Sequence, residues 1–259
     1  MRAIDFGRNL VQLTQLPSVF PINMYLVREE DGFTLIDTGM AGGEGVMIEA
    51  AREHGAEIQR IVLTHAHADH VGSLDALGAA LPEVEVAISA REARLLAGDM
   101  SLNPDEPQVK LRGGWRVCRT TPTRLLSPGE KVGSLEVVAS PGHTPGHVSF
   151  LDTRDGTLIA GDAFQTRAGM AVAGSLRLLF PFPALATWHG STALSSARAL
   201  RALEPTRLVV GHGEVLEDPL QAMDRAIAVA ERGVGGREVT GGANEKMQLV
   251  SPRGRGSTS

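Results

Sequence analysis

Cysteine is almost absent: one residue, Cys118, in a chain of 259. A lone thiol excludes an internal disulfide and a zinc site built from thiolates. An excess of positive charge is lacking too, since 25 Lys+Arg stand against 30 Asp+Glu for a net charge of −5. That balance argues against holding nucleic acid through a bulk positive field, so no nucleic-acid partner is expected. No run approaches 18 apolar residues, and the opening MRAIDFGRNLVQLTQLP has no apolar segment of the secretory kind. The expectation is a cytoplasmic protein with no membrane partner. What remains is an ordinary folding composition, 42% hydrophobic and 21% charged, in a length that supports one large domain or two small ones.

Short apolar runs alternate with helical periodicity. Strands are expected at Asn9–Leu13, Met24–Arg28 and Phe33–Ile36, the last two joined as a hairpin through Asp31-Gly32. A helix follows from Gly43 to His54, stopped by Gly55. Ile61–Leu63 is a β-branched run that suits a strand buried on both faces, and Val71, Leu74, Leu77 and Leu81 then recur at helical spacing. Val84–Ile88, Leu135–Ala139, His147–Leu151, Thr157–Ala160 and Leu208–Val210 read as strands, with helices at Ala90–Leu96 and from Ser191 to Leu203. A final helix has Asp218 as cap, Pro219 in its first turn and Gly233 beyond its end. Residues 98–114 and 163–190 carry no period and read as long loops of the kind that cover binding sites. The expected organisation is a folded domain over 1–233 and a flexible Gly/Ser/Arg-rich tail over 234–259. The alternation implies an α/β chain in two comparable halves, helices outside and sheets between.

Chemistry concentrates in Thr64-His65-Ala66-His67-Ala68-Asp69-His70. Imidazole and carboxylate suit the same borderline cations. Residues two apart do not share a helical face but do share one side of extended chain, so His65 and His67 should leave the end of a strand. Asp69 and His70 should then begin a helix, and the turn between the pairs would let the segment serve two metals. Asp37, His143, Asp162 and His212 each fall just past the C-terminal end of an apolar strand, the edge where α/β sheets gather ligands. Five of the eight histidines fall in this set; His147 opens a strand instead and is expected to support the ligands from outside.

These residues resemble the metallo-β-lactamase superfamily. The match comprises HxHxDH at His65–His70, DTG at Asp37–Gly39, PGHTPGH at Pro141–His147, GD at Gly161-Asp162 and GHG at Gly211–Gly213, in the family order. The resemblance implies a four-layer αββα sandwich of two mixed sheets with helices outside. It also implies two divalent ions, zinc expected, with iron or manganese the alternatives. One would be held by His65, His67 and His143, the other by Asp69, His70 and His212, with Asp162 and a hydroxide bridging them. Asp37 would act behind the ligands and orient them by hydrogen bonds. Zinc lowers the pKa of its water to about 7, so hydroxide is available at neutral pH. Asp69 would orient that hydroxide and pass its proton to the leaving group.

The expected activity is hydrolysis of a small ester, lactone or thioester. The pocket is expected to form from Leu16–Pro21, 98–114 and 163–190, with Phe20, Phe180 and Trp188 touching an apolar part of the substrate. A β-lactamase of this superfamily usually lacks the bridging aspartate. Some lactonases use a tyrosine after it, whereas the one tyrosine here is Tyr25. Glyoxalase II carries a basic C-terminal helical region that the segment after Gly233 is not expected to form. The alternatives are a mononuclear iron enzyme resembling persulfide dioxygenases and, further off, a phosphodiesterase or ribonuclease Z-like nuclease.

Overall fold

The computed structural model describes residues 1–245. Seven strands make one sheet, hydrogen-bonded in chain order: β1 (Arg2–Phe6), β2 (Leu10–Gln15), β3 (Ile22–Glu29), β4 (Gly32–Ile36), β5 (Ile58–Val62), β6 (Glu85–Ser89) and β7 (Arg124–Leu126). A second sheet begins with β8 (Lys131–Val132), β9 (Leu135–Ala139), β10 (Val148–Asp152) and β11 (Thr157–Ile159). A small ribbon of β12 (Phe164–Gln165) and β13 (Ala171–Val172) intervenes, after which β14 (Arg207–Val209) and β15 (Leu216–Glu217) complete that sheet in the order β15-β14-β11-β10-β9-β8. Helices α1 (Glu44–Glu53), α2 (Ala68–Val71), α3 (Leu74–Ala80) and α4 (Ala90–Leu96) belong to the first half. Helices α5 (Phe182–Ala186), α6 (Gly190–Ala202) and α7 (Leu220–Glu245) belong to the second.

Strand alternation builds the layers. Successive residues point to opposite faces of a sheet, so a central strand needs apolar side chains at both parities. Leu35 and Ile61 pack with Met47, Leu74, Leu77 and Leu95 beneath the first-half helices. Their neighbours Ile36 and Val62 enter a second core with Phe150, Ile159 and Val209 from the other sheet. Leu158 and Leu208 turn away from that core to meet Leu194, Leu200, Met223 and Ile227 of α6 and α7. Three apolar interfaces between four layers make an αββα sandwich.

Register then decides what meets at the edge. Strands β4 and β5 run parallel with Ile36 opposite Val62, so the chain leaves both at one level and Thr64 N–H reaches Asp37 Oδ1 at 2.8 Å. Strands β11 and β14 are also parallel, Ile159 opposite Val209, and Asp162 and His212 follow these partners at the same offset.

Some local expectations change. Strand β1 precedes the first expected strand and pairs along its whole length with β2. The expected helix over 71–81 is two, α2 and α3, separated at Gly72-Ser73. The largest correction concerns the tail: α7 runs through Gly233 to Glu245, so the first part of the segment expected to be flexible is helical. Gly233 does not take the positive φ of a helix-terminating glycine, and extending an existing helix adds a hydrogen bond per residue without a new nucleus. Residues 246–259 of that expected tail lie outside the described residues.

Candidate metal centre

All seven expected ligands meet at the shared edge of the two sheets. Three overlapping groups have ligand atoms within 4.8 Å of one another: His65, His67 and His143; His65, His70 and Asp162; Asp69, His70 and His212. The middle group shares His65 with the first and His70 with the third, and adds Asp162, whose carboxylate oxygens lie 3.4 Å from His70 Nε2, 3.3 Å from His143 Nε2 and 3.3 Å from His212 Nε2. Asp69 Oδ2 is 3.4 Å from His212 Nε2. His67 is the extended residue that caps α2, and Asp69 and His70 lie in that helix.

Each imidazole has one nitrogen tied to the protein, and this fixes which nitrogen faces inward. His70 Nδ1 donates to Asp37 Oδ2 at 2.8 Å, and His212 Nδ1 to the Pro21 carbonyl at 2.7 Å. His143 Nδ1 faces Thr187 Oγ1 at 3.2 Å; that hydroxyl gives its own proton to the Pro183 carbonyl, so the imidazole is the donor. By the same logic His65 Nδ1 donates to Thr64 Oγ1, itself a donor to Asp37 Oδ2. His67 is turned the other way, with Nε2 donating to the Arg112 carbonyl at 3.0 Å and Nδ1 inward.

The inward atoms fit cations. His65 Nε2, His70 Nε2 and Asp162 Oδ1 are buried without a hydrogen-bond partner among the described residues. His67 Nδ1 and His143 Nε2 lie 3.0 Å apart, and with both protons committed elsewhere two lone pairs face each other. Unpaired buried polar atoms are costly, and opposed lone pairs add repulsion that a shared cation removes. The carboxylates agree: among the described residues Asp37, Asp69 and Asp162 have only histidines as ion-pair partners. Without a metal, protons answer that charge. Burial disfavours a cationic His70, yet Asp162, Asp37 and Asp69 outweigh it and raise its pKa to about 9. His212 is raised well above its ordinary value against burial, chiefly by Asp162. His65 and His143 are pushed far down by burial, with neighbouring imidazoles adding to it. Asp69 stays ionised: burial works against the carboxylate, but His70 and His212 hold it below the usual range.

The supporting residues lie one layer out. Asp37 has a positive φ of 60° at the end of β4, which aims its carboxylate at both Thr64 and His70. His147 accepts the Asp162 backbone N–H at Nε2 and is joined to Ser140 Oγ through Nδ1. Burial lowers its pKa to about 3, so it stays neutral and orients the backbone of Asp162. Glycine is required at two approaches. A Cβ at Gly211 would lie 2.1 Å from Asp162 Oδ1, and one at Gly113, where φ is +92°, would lie 2.3 Å from His67 Nε2.

Three supporting groups escaped the sequence reading. Glu92, fully buried, accepts from Ala66 N–H at 2.9 Å and Gly146 N–H at 2.8 Å, tying the loop of His65 and His67 to the loop of His143. Its signal was the Ser89-x-x-Glu92 capping pattern at the start of α4. Asn23 donates to the carbonyls of Val210 and Gly213 and so holds the strand end that presents His212. Tyr25 donates to the Val210 carbonyl at 2.7 Å within the inter-sheet core, which removes the one tyrosine from any role against substrate.

A cavity of about 530 Å³ opens over this floor. Each of the three expected segments reaches its wall: Phe20 from the first, Gly113 and Gly114 from the second, Phe182, Pro183 and Leu185 from the third. Phe20 packs tilted against His212 with centroids 5.0 Å apart and meets Phe182 edge-on. Phe180 is buried behind Phe20 and His212. Trp188 faces a neighbouring cavity, where its indole N–H donates to the Val109 carbonyl and fastens the 98–114 loop.

Buried imidazoles and carboxylates at the common edge of two sheets, inside an αββα sandwich, define a divalent-metal protein. The chain belongs to the Metallo-beta-lactamase superfamily, whose sequence profile matches residues 17–212. It is 51% identical over 223 residues to Uncharacterized protein YobT of Bacillus subtilis (strain 168), covering 86% of this chain and 96% of that one. With Probable metallo-hydrolase YflN of the same organism it shares 31% identity, over 74% and 80% of the two chains. Among solved structures, a metallo-beta-lactamase from Pontibacter korlensis shares the fold with a TM-score of 0.68 at 16% identity, over 89% of this chain and 98% of that one. TTHA1623, solved in a di-iron-bound form, aligns with a TM-score of 0.59 at 26% identity, over 82% and 96%.

Proposed function

We propose that this metallo-hydrolase relative cleaves a small ester, lactone or thioester with two divalent ions, zinc foremost and iron or manganese the alternatives. The observation that carries the reading is the outward pairing of every ligand imidazole, which turns five nitrogens and two carboxylates on one another. Two separate outer groups, with the Asp162 carboxylate lying between them within 3.3 Å of both His143 and His212, support two ions over one. YflN, named a probable metallo-hydrolase, supports the reaction class, and the di-iron form of TTHA1623 keeps iron among the candidates.

Bound ions would supply hydroxide near neutral pH and polarise the oxygen of the scissile group. The chain supplies the rest. His65, His67 and His143 would hold one ion, Asp69, His70 and His212 the other, and Asp162 both. Asp69 lines the cavity with its side chain 28% exposed. Being ionised, it can accept a proton at its carboxylate and return it to the leaving group. Phe20 and Phe182 would exclude water from an apolar acyl part.

The test is a protein of measured metal content assayed on lactones, thioesters, aryl esters and phosphodiesters. Turnover of the first three classes with about two equivalents of metal is expected. Iron at one equivalent, no hydrolysis, and oxygen uptake with glutathione persulfide would replace this reading with a dioxygenase. Full turnover by Asp69→Asn with both metals retained would remove the proton-transfer role.

A further inference from the structure

Apart from the candidate ligands, the cavity wall is hydrocarbon or backbone with a single exception. Phe20, Met40, Phe182, Pro183 and Leu185 give it an apolar lining, and among the other described residues of the wall Arg116 alone adds charge. Nearby arginines are occupied: Arg91 pairs with Glu106, Arg94 with Asp99 and Arg119 with Asp75, while Arg112 faces the adjoining cavity. Arg116 is exposed, and only its backbone carbonyl is engaged, by the Cys118 thiol; among the described residues its guanidinium has no partner.

The backbone carrying Arg116 is pinned on both sides. Before it, the Gly114 carbonyl accepts from Ala68 N–H at 2.8 Å, and Trp115 bridges to His67 with ring centroids 4.5 Å apart. After it, Cys118 N–H donates to the Leu96 carbonyl at 3.0 Å. A fixed backbone with a free guanidinium, on the wall of an apolar cavity and beside the candidate centre, is arranged to read an anion. The planar fork of arginine matches a carboxylate in a bidentate way.

We propose that Arg116 is a specificity residue for a carboxylate at the far end of the substrate. The favoured class is then an ester or thioester whose acyl part has an apolar body and a terminal carboxylate. This rests on the hydrolase reading above. The scissile group would lie over the ligands, the methylenes along Phe20 and Phe182, and the carboxylate against Arg116. Because the guanidinium is solvent-exposed, the preference is expected to be about tenfold.

Two measurements on zinc-loaded protein test it, with metal content matched between variants. The first compares kcat/KM for 4-nitrophenyl octanoate with that for the 4-nitrophenyl half-ester of octanedioic acid. The second compares the calorimetric Kd of octanoate with that of octanedioate, which needs no turnover. About tenfold preference for the carboxylated member of each pair is expected, falling towards unity in Arg116→Gln and partly kept in Arg116→Lys. Equal treatment of the two members by the wild type, or a preference unchanged in Arg116→Gln, overturns the proposal, and turnover of the neutral ester then leaves the hydrolase reading standing. If neither ester is cleaved while octanedioate retains an Arg116-dependent binding advantage, the subsite is supported and the hydrolase reading fails.

Discussion

The floor and the rim of the cavity are built on opposite principles. Every floor imidazole is buried and locked by a named acceptor, and Glu92 ties the loop of His65 and His67 to the loop of His143. The rim is open: Phe182 is 54% exposed, Leu185 59% and Met40 45%, and they come from irregular segments or one short helix. A metal site tolerates little error in ligand direction, so its support must be over-determined. An apolar rim needs only surface, so it can vary with substrate while the floor stays fixed. If this division is right, floor substitutions should change metal binding and rim substitutions should change KM.

The largest effect is expected at the carboxylate that lies between both halves of the site. Asp162→Asn removes a negative charge that faces His70, His143 and His212. Loss of residues that merely orient ligands typically costs about 10–100-fold, so loss of this carboxylate should exceed about 100-fold in metal affinity and in kcat. Metal content after dialysis and single-turnover kinetics check it. A variant that keeps both ions and normal turnover would break the division at its centre.

Proton competition comes next. In the metal-free fold His70 lies at about 9, above the ordinary 6.5. Its protonated form therefore stabilises the metal-free fold fully below pH 6.5, and that contribution is lost as pH rises through about 9. Metal needs the same nitrogen unprotonated, so metal affinity should climb over that window, by roughly 100-fold for one proton displaced. His212, raised in the same direction, adds to the slope. Calorimetry in buffers of different ionisation enthalpy should record proton release on metal binding at pH 7. A pH-independent affinity between 6.5 and 9 would sink this expectation.

Asp37→Asn is expected to weaken metal binding by about 10–100-fold without unfolding the protein. Asparagine tolerates the positive φ at this position, so the backbone is kept while the charge and one of the two acceptor oxygens that face His70 and Thr64 are lost. Chelator competition measures it. Unaltered affinity would mean that the His70 orientation comes from packing alone.

How far the floor was readable in sequence follows from this architecture. Parallel β4 and β5, and parallel β11 and β14, deliver their C-terminal ends to one edge, so an apolar run followed by Asp or His was a sufficient sign for Asp37, Asp162 and His212. The hydrogen bonds that turn His67 by its Nδ1 and the others by Nε2 had no such sign, because their acceptors include backbone carbonyls at Pro21 and Arg112. A carbonyl exists at every residue and marks no position. The rim was less legible for a different reason. Phe180 and Phe182 carry the same composition, but α5 places the second on the wall and the turn before it buries the first. Trp188 likewise spends its indole N–H on the 98–114 loop. Strand β1 was missed because its five residues include Arg2 and Asp5 at a sheet edge, where polar side chains face water.

Glu92 tests the division from below, since it touches no candidate ligand side chain. Glu92→Ala leaves Ala66 N–H and Gly146 N–H without acceptors in a buried place. Each orphaned donor costs about 1–3 kcal/mol, so the melting temperature should fall by several degrees, as about 2–4 °C accompanies each kcal/mol in a domain of this size. Glu92→Gln keeps one acceptor and should lie between. If ligand placement depends on this staple, metal affinity should fall with stability; a stability loss with unchanged metal affinity would confine Glu92 to folding.

The smallest effect should come from the rim and should be of another kind. Phe182 is half exposed and packs edge-on against Phe20, so Phe182→Ala should shift stability by no more than about 0.5–1 kcal/mol. An apolar acyl group resting on that ring would lose roughly 1 kcal/mol of contact, a several-fold rise in KM, with metal content unchanged. The rise should grow with acyl length, because a short acetyl group would not reach the ring. A KM insensitive to chain length, or a loss of metal on this substitution, would show that the rim and floor are one mechanical unit, since Phe20 packs tilted against His212 and could pass a displacement of Phe182 straight to that candidate ligand.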